Sequence, residues 1–216
     1  MDVGILGGTG PAGQAIAARL AAVGLKVVIG SRSPERAAVV CDGLRDRWAD
    51  LDLPVVPGSN ADAAGAAVVI VATPWEAAAP TAVSVAGNLG GKVLICMANA
   101  LVRVGGEFKA VTPPGGSVAA EVQAAVPDAL VAAAFHHLPA KSLADLSKPM
   151  EGDVLICSAH DEAVEATTDL ARRIPHLRAF HAGSLVSAAP VEAFTAVLLE
   201  INRRHKARAA VRLTGL

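Results

Sequence analysis

The strongest constraint on this chain lies in its opening residues. The apolar run Val3-Gly4-Ile5-Leu6 enters a glycine-rich turn, Gly7-Gly8-Thr9-Gly10-Pro11-Ala12-Gly13. An alanine-rich stretch leaves it with Ile16, Leu20 and Val23 at helical spacing; Gly24 closes that helix and Lys26–Gly30 reads as a second strand. Gly8, Gly10 and Gly13 fit the G-x-G-x-x-G spacing of a dinucleotide-binding βαβ unit. Gly8 serves the tight turn, Gly10 leaves room for a pyrophosphate, and Gly13 lets helix and strand approach closely. Backbone N–H groups at the helix N-terminus suit an anion there, and Pro11 fits the first turn because its missing N–H would have no helical partner anyway.

The end of the second strand reports on the ribose. An Asp or Glu there accepts from a free 2′-hydroxyl. This chain instead reads Gly30-Ser31-Arg32-Ser33-Pro34-Glu35-Arg36, with no carboxylate at the expected place. Ser33 is predicted as an N-cap and Pro34 as the first helical residue, which brings Arg36 close to Arg32. Ser31, Arg32 and Arg36 then suit a 2′-phosphate, since guanidinium groups give paired charge-assisted hydrogen bonds to a dianion. The expected cofactor is NADP(H), with Glu35 pointing away.

With 216 residues the chain is long enough for one ordinary domain with a small appendage. Its net charge of −1 argues against nucleic acid or an anionic membrane as partner. No uninterrupted apolar run reaches spanning length and the first strand starts at once, so the expectation is a cytoplasmic protein. Cys41, Cys96 and Cys157 lie far apart in apolar stretches, as buried thiols rather than disulfides or metal ligands. No metal site is expected. The absence of Tyr removes the Tyr-x-x-x-Lys proton relay found in many small reductases.

Further along, helices and strands alternate. Helices are predicted over Ser33–Trp48, Asn60–Gly65, Glu76–Val85, Val118–Val126, Asp161–Ile174 and Pro190–Arg208, the last with Val191, Phe194, Leu198 and Ile201 as its apolar face. Strands are predicted at Pro54–Pro57 (near an edge), Ala67–Ala72, Lys92–Cys96, Leu130–Phe135, Asp153–Ser158 and Leu177–His181. Met97–Gly116 reads as a long functional loop. The fold class is α/β, a doubly wound Rossmann-type, mostly parallel sheet of about eight strands with a small C-terminal α/β extension.

Five segments in order, Gly7–Gly13, Gly30-Ser31-Arg32, Thr73-Pro74-Trp75-Glu76, His136-His137-Leu138-Pro139-Ala140 and Ala182-Gly183, resemble the NADPH-dependent F420 reductases. The strand-end Pro-Trp-Glu and His-x-x-Pro-Ala segments make the resemblance specific. It implies reversible hydride transfer between C4 of the nicotinamide and C5 of the deazaflavin of coenzyme F420. It also implies that Thr9, Gly10, Pro11 and Ala12 hold the pyrophosphate, that Thr73, Pro74 and Trp75 line the nicotinamide ribose, and that His136 borders the stacked rings. Asn99 is a candidate amide ligand to the carboxamide, and His137 reads as structural. The division implied is 1–135 as the NADP-binding domain and 136–216 as a smaller part completing the deazaflavin cleft, in a homodimer with the last helix near the contact.

Direct transfer between stacked rings needs alignment more than an acid–base pair, which agrees with the lack of a catalytic Tyr, a metal cluster or a carboxylate dyad. Two other readings stand beside it. One is an NADPH-dependent imine or ketone reductase; the other is a non-catalytic NADPH-binding sensor.

Overall fold

The computed structural model describes residues 1–216. Eight strands form one sheet: β1 (Asp2–Leu6), β2 (Lys26–Ser31), β3 (Val55–Ser59), β4 (Val68–Val71), β5 (Val93–Cys96), β8 (Leu130–Ala133), β9 (Gly152–Ser158) and β10 (Leu177–His181). Their spatial order is β10-β9-β8-β5-β4-β1-β2-β3. All neighbours are parallel except β8 and β9. The order reverses between β1 and β4, and ligands of such sheets lie outside the carboxyl ends of the strands at that reversal.

The helices are α1 (Pro11–Ala21), α2 (Pro34–Arg47), α3 (Asn60–Ala64), α4 (Trp75–Val83), α5 (Val118–Ala125), α6 (Ala140–Leu143), α7 (Asp161–Arg173) and α8 (Ala188–His205). β4 and β5 are buried along their whole length, as strands covered on both faces must be, and each is an unbroken apolar run. The side chains above and below them form two apolar cores. One is centred on Ile5, Ile16, Leu20 and Ile29, the other on Leu6, Val69, Leu94 and Val131. All three cysteines are unpaired and buried.

Two expectations are corrected. The predicted loop Met97–Gly116 carries an antiparallel hairpin, β6 (Leu101–Val104) and β7 (Glu107–Ala110). Its turn is Gly105-Gly106, both at positive φ, which is what a tight hairpin requires.

The second correction concerns α8. Phe194 and Ile201, assigned to its inner face, are 42% and 38% exposed, while its buried residues are Ala188, Glu192, Thr195 and Leu198. The helix is apolar on nearly every side, so hydrophobic spacing does not choose its inner face; specific polar contacts do. With the turn before it, the segment Leu185–His205 is long and apolar enough to cross a membrane by composition, and 22% of its most apolar 18 residues are buried.

Candidate active site

Two cavities open at the carboxyl end of the sheet, on either side of the turn after β1. The larger, about 850 Å³, is lined by Gly7, Thr9, Gly10, Ser31, Arg32 and Arg36 among others. Gly7 has φ +64, and a Cβ there would lie 2.3 Å from the Thr73 methyl. A Cβ on Gly13 would lie 2.7 Å from Cα of Gly8. These glycines are therefore required by the backbone path and by helix–strand contact. Around Gly10 a Cβ would meet nothing closer than 3.9 Å, so the space beside it is open to a ligand. α1 starts at Pro11 with no side-chain cap at Gly10, leaving N–H groups at that end for an anion.

Ser33 caps α2 by accepting from Arg36 N–H, and Pro34 follows as first helical residue. Arg32 and Arg36 are exposed at the cavity rim and Ser31 is buried at its floor. Glu35, expected to point away, accepts a 2.6 Å hydrogen bond from the Ser33 hydroxyl. That bond holds its carboxyl below the usual carboxylate range. Glu35 itself does not line the cavity. Thr73 and Pro74 do, and the Thr73 hydroxyl is buried without a protein partner. Trp75 instead packs against the apolar core beneath α4 and lies outside the cavity lining.

The second cavity, about 200 Å³, is lined by Ala12 and Met97 on one side, His136 and Leu138 on another, and α8 on a third. Phe135, at the turn into His136, has φ +62, a conformation costing about 1–3 kcal/mol in a non-glycine residue and concentrated at functional sites. His136 is 5% exposed, and neither ring nitrogen has a protein partner. Burial, with His137 alongside, lowers its pKa to about 3, so the ring is neutral with one N–H and one acceptor unspent. His137 is different. Its Nε2 lies 2.9 Å from Asp153 O and 3.2 Å from Leu155 N on β9, which makes it a strut.

Asn99 stands in this second cavity. Its amide donates to His136 O at 2.8 Å, and its oxygen accepts from the Thr195 hydroxyl at 3.2 Å. It thus ties the loop after β5 to the loop after β8 and to α8. The structure brings Gly7, Thr9, Gly10, Ser31, Arg32, Arg36, Thr73 and Pro74 together in one groove, and Ala12, Asn99 and His136 in its neighbour. Pro11 and Ala12 open α1 between the two.

Three contributors escape a reading of motifs. Asn60, opening α3, accepts from Gly7 N–H at 3.1 Å and lines the larger cavity. Arg19, nearly buried, donates to the backbone oxygens of Ser142, Leu143, Asp145 and Lys148, fixing the segment behind the second cavity. Its signal in the sequence is a lone cation in an apolar helix. Thr195 gives no signal of its own.

The arrangement, a groove with free helix N–H groups and two guanidinium groups beside a mostly apolar cavity, suits an anionic ligand and a flat apolar one meeting between α1 and the β5 and β8 loops. Comparison with known proteins shows the family. A family model described as "NADP oxidoreductase coenzyme F420-dependent" matches residues 2–100. The F420-dependent NADP reductase of Methanothermobacter marburgensis is 34% identical over 228 residues, covering 100% of this chain and 99% of its own. That of Methanocaldococcus jannaschii is 32% identical over 222 residues, with the same coverage. A crystal structure of a candidate F420-dependent NADP reductase from Arthrobacter sp. FB24 superposes with a TM-score of 0.84, 22% identity and 99% of each chain covered, a likeness of fold.

Proposed function

This chain belongs to the F420-dependent NADP reductases, and we propose how its residues divide the work. The reaction is a reversible hydride transfer between NADP(H) and coenzyme F420, from C4 of the nicotinamide to C5 of the deazaflavin. The two coenzymes carry that chemistry; the protein supplies position, dryness and charge.

In this reading Gly8, Thr9, Gly10, Pro11, Ala12 and Gly13 form the pyrophosphate turn, and Ser31, Arg32 and Arg36 take the 2′-phosphate. Thr73 and Pro74 face the nicotinamide ribose, the Thr73 hydroxyl finding its missing partner there. Trp75 supports that loop from the core side. His136 offers its free ring nitrogen to a polar atom of the deazaflavin; being neutral, it can polarise or donate without holding a charge in an apolar site. Asn99 positions the His136 segment. Residues 1–135 act as the dinucleotide half, and 136–216 complete the second cleft.

The observation that carries this reading is the second cavity, which shares Ala12 with the helix of the pyrophosphate turn. A ligand there lies next to whatever the first groove holds.

A homodimer is proposed through α8 and the β6–β7 hairpin. Phe194, Val197 and Ile201 are exposed on α8, Val104 and Phe108 on the hairpin, and α8 packs against β7. Large apolar side chains gathered this way mark a contact surface. A cytoplasmic setting is proposed on the three unpaired cysteines.

The test is an anaerobic assay of NADPH with purified F420, following deazaflavin absorbance, beside a panel of ketones and imines without F420. Turnover with F420 alone supports the reading. Turnover only with the panel makes the chain an imine or ketone reductase, and binding of NADPH with no turnover makes it a sensor.

A further inference from the structure

Asn60 opens α3, half buried, and lines the larger groove. Its place is fixed from three directions. Ser59, at the cap of α3, and Asp62 exchange reciprocal hydrogen bonds that lock the turn around it. Its side-chain oxygen accepts from the Gly7 N–H at 3.1 Å. That oxygen also fills the space beside Gly30, where a Cβ would lie 3.0 Å from it. Asn60 therefore stands between the turn after β1 and the end of β2.

Because the Gly7 N–H is a donor, the amide atom facing it must be the oxygen, and this fixes which way the amide lies. The NH2 on the other branch has no acceptor in the protein and is not sealed from solvent. Holding Gly7 does not require that NH2. A carboxylate in the same place would accept from Gly7 N–H at least as strongly, and the first turn of a helix favours negative charge. What an aspartate would spoil is the groove. None of the residues lining it is acidic, and Arg32 and Arg36 stand at its rim. A neutral amide that accepts on one branch and donates on the other suits a neighbour carrying negative charge.

We propose that Asn60 is a binding residue for the phosphorylated ribose in the adenosine half of NADP(H), its NH2 donating to an oxygen there while its own oxygen anchors the glycine turn. The proposal rests on the reading that the larger groove holds the dinucleotide. The place of the contact follows from its neighbours. Gly7 begins the turn proposed for the pyrophosphate, and Gly30 precedes Ser31 and Arg32, proposed for the 2′-phosphate. The adenosine ribose is the part of the cofactor that joins those two groups. One residue thereby ties the shape of the turn to the ligand it holds, across 53 residues of chain.

Asn60→Asp separates the two jobs, because it keeps an acceptor for the Gly7 N–H and replaces the donors with a charged oxygen. Binding is measured by calorimetry with NADP+ and with 2′,5′-ADP, which carries the phosphorylated ribose without the nicotinamide. Both are expected to weaken by about tenfold or more, and by the same factor, from a lost hydrogen bond and an added like charge. The urea midpoint of the ligand-free variant should match that of the wild type.

The wild-type protein supplies a test that needs no variant. In isotope-labelled protein the Asn60 side-chain N–H signals should shift on titration with 2′,5′-ADP and saturate with the calorimetric Kd. Unchanged affinity of Asn60→Asp for 2′,5′-ADP, with or without a loss of stability, would overturn the proposal and leave Asn60 as an anchor of the turn alone. Side-chain N–H signals indifferent to the ligand would overturn it too. A wild-type protein that does not bind 2′,5′-ADP would strike the assignment of the groove to NADP(H), and this proposal with it.

Discussion

The two halves of the site are built by different means. The groove proposed for the dinucleotide is mostly backbone: a positive-φ glycine at position 7, an uncapped helix start at Gly10, and close contact of Gly13 with Gly8. Its chemistry-bearing residues come in short runs, 7–13, 31–36 and 72–74. The second cavity is assembled from side chains of distant segments. Ala12, Met97, His136 and Thr195 converge there, and Asn99 bonds across 37 and 96 residues of chain to His136 and Thr195. A site made of local backbone geometry is robust to most side-chain changes. A site made of converging side chains depends on each support.

The largest contrast should come from Arg32→Ala. Loss of a charge-assisted contact to the 2′-phosphate is expected to weaken NADPH by about 1.5–3 kcal/mol, roughly 10- to 150-fold, with NADH and F420 little affected. Equal losses for NADPH and NADH, measured by titration, would break the division between ribose-phosphate recognition and the rest of the groove.

Asn99→Leu should act on the other half. It leaves the His136 carbonyl without its donor and the Thr195 hydroxyl with only its 3.4 Å contact to Val191 O, a cost of about 1–2 kcal/mol that should appear as a 5- to 30-fold rise in the KM for F420. The KM for NADPH should stay where it was; steady-state kinetics with each coenzyme varied in turn sharpens the comparison or removes it.

The third expected effect falls on stability and is confined to acid pH. The His136 pKa falls to about 3 in the fold through burial. The stability associated with the neutral ring is present at neutral pH and lost as pH falls from about 6.5 towards 3, where the unfolded chain binds the proton more readily. His136→Gln should flatten that part of the curve of unfolding free energy against pH, measured by urea titration. An unchanged slope would mean that His136 is hydrated and not sealed in the cleft.

The same contrast explains what could be read in the sequence. Runs such as Gly7–Gly13 and Ser31–Arg36 carry their geometry in local order, so the turn, the cap of α2 and their convergence on one groove were legible, as were the buried strands Val68–Val71 and Val93–Cys96. The hairpin was hidden because Gly105-Gly106 sits in a segment whose Gly and Pro content reads as loop. Its signal was the alternation on either side of that pair. The inner face of α8 was not legible, because Phe194 and Val191 look as apolar as Leu198, and only the fold puts Val118 and Ala119 N–H opposite Glu192. Asn60 and Arg19 likewise act on backbone atoms far away in sequence, which no spacing rule records.

In the proposed reading both coenzymes lie in adjoining, dry parts of one crevice, so that hydride passes directly from one to the other. Turnover of F420 with NADPH deuterated at the transferred C4 position, read by mass spectrometry and NMR of the product, tests it most directly. The expected product carries one deuterium at C5 of the reduced deazaflavin with no loss to solvent. Reduced F420 with no deuterium at C5 would contradict it.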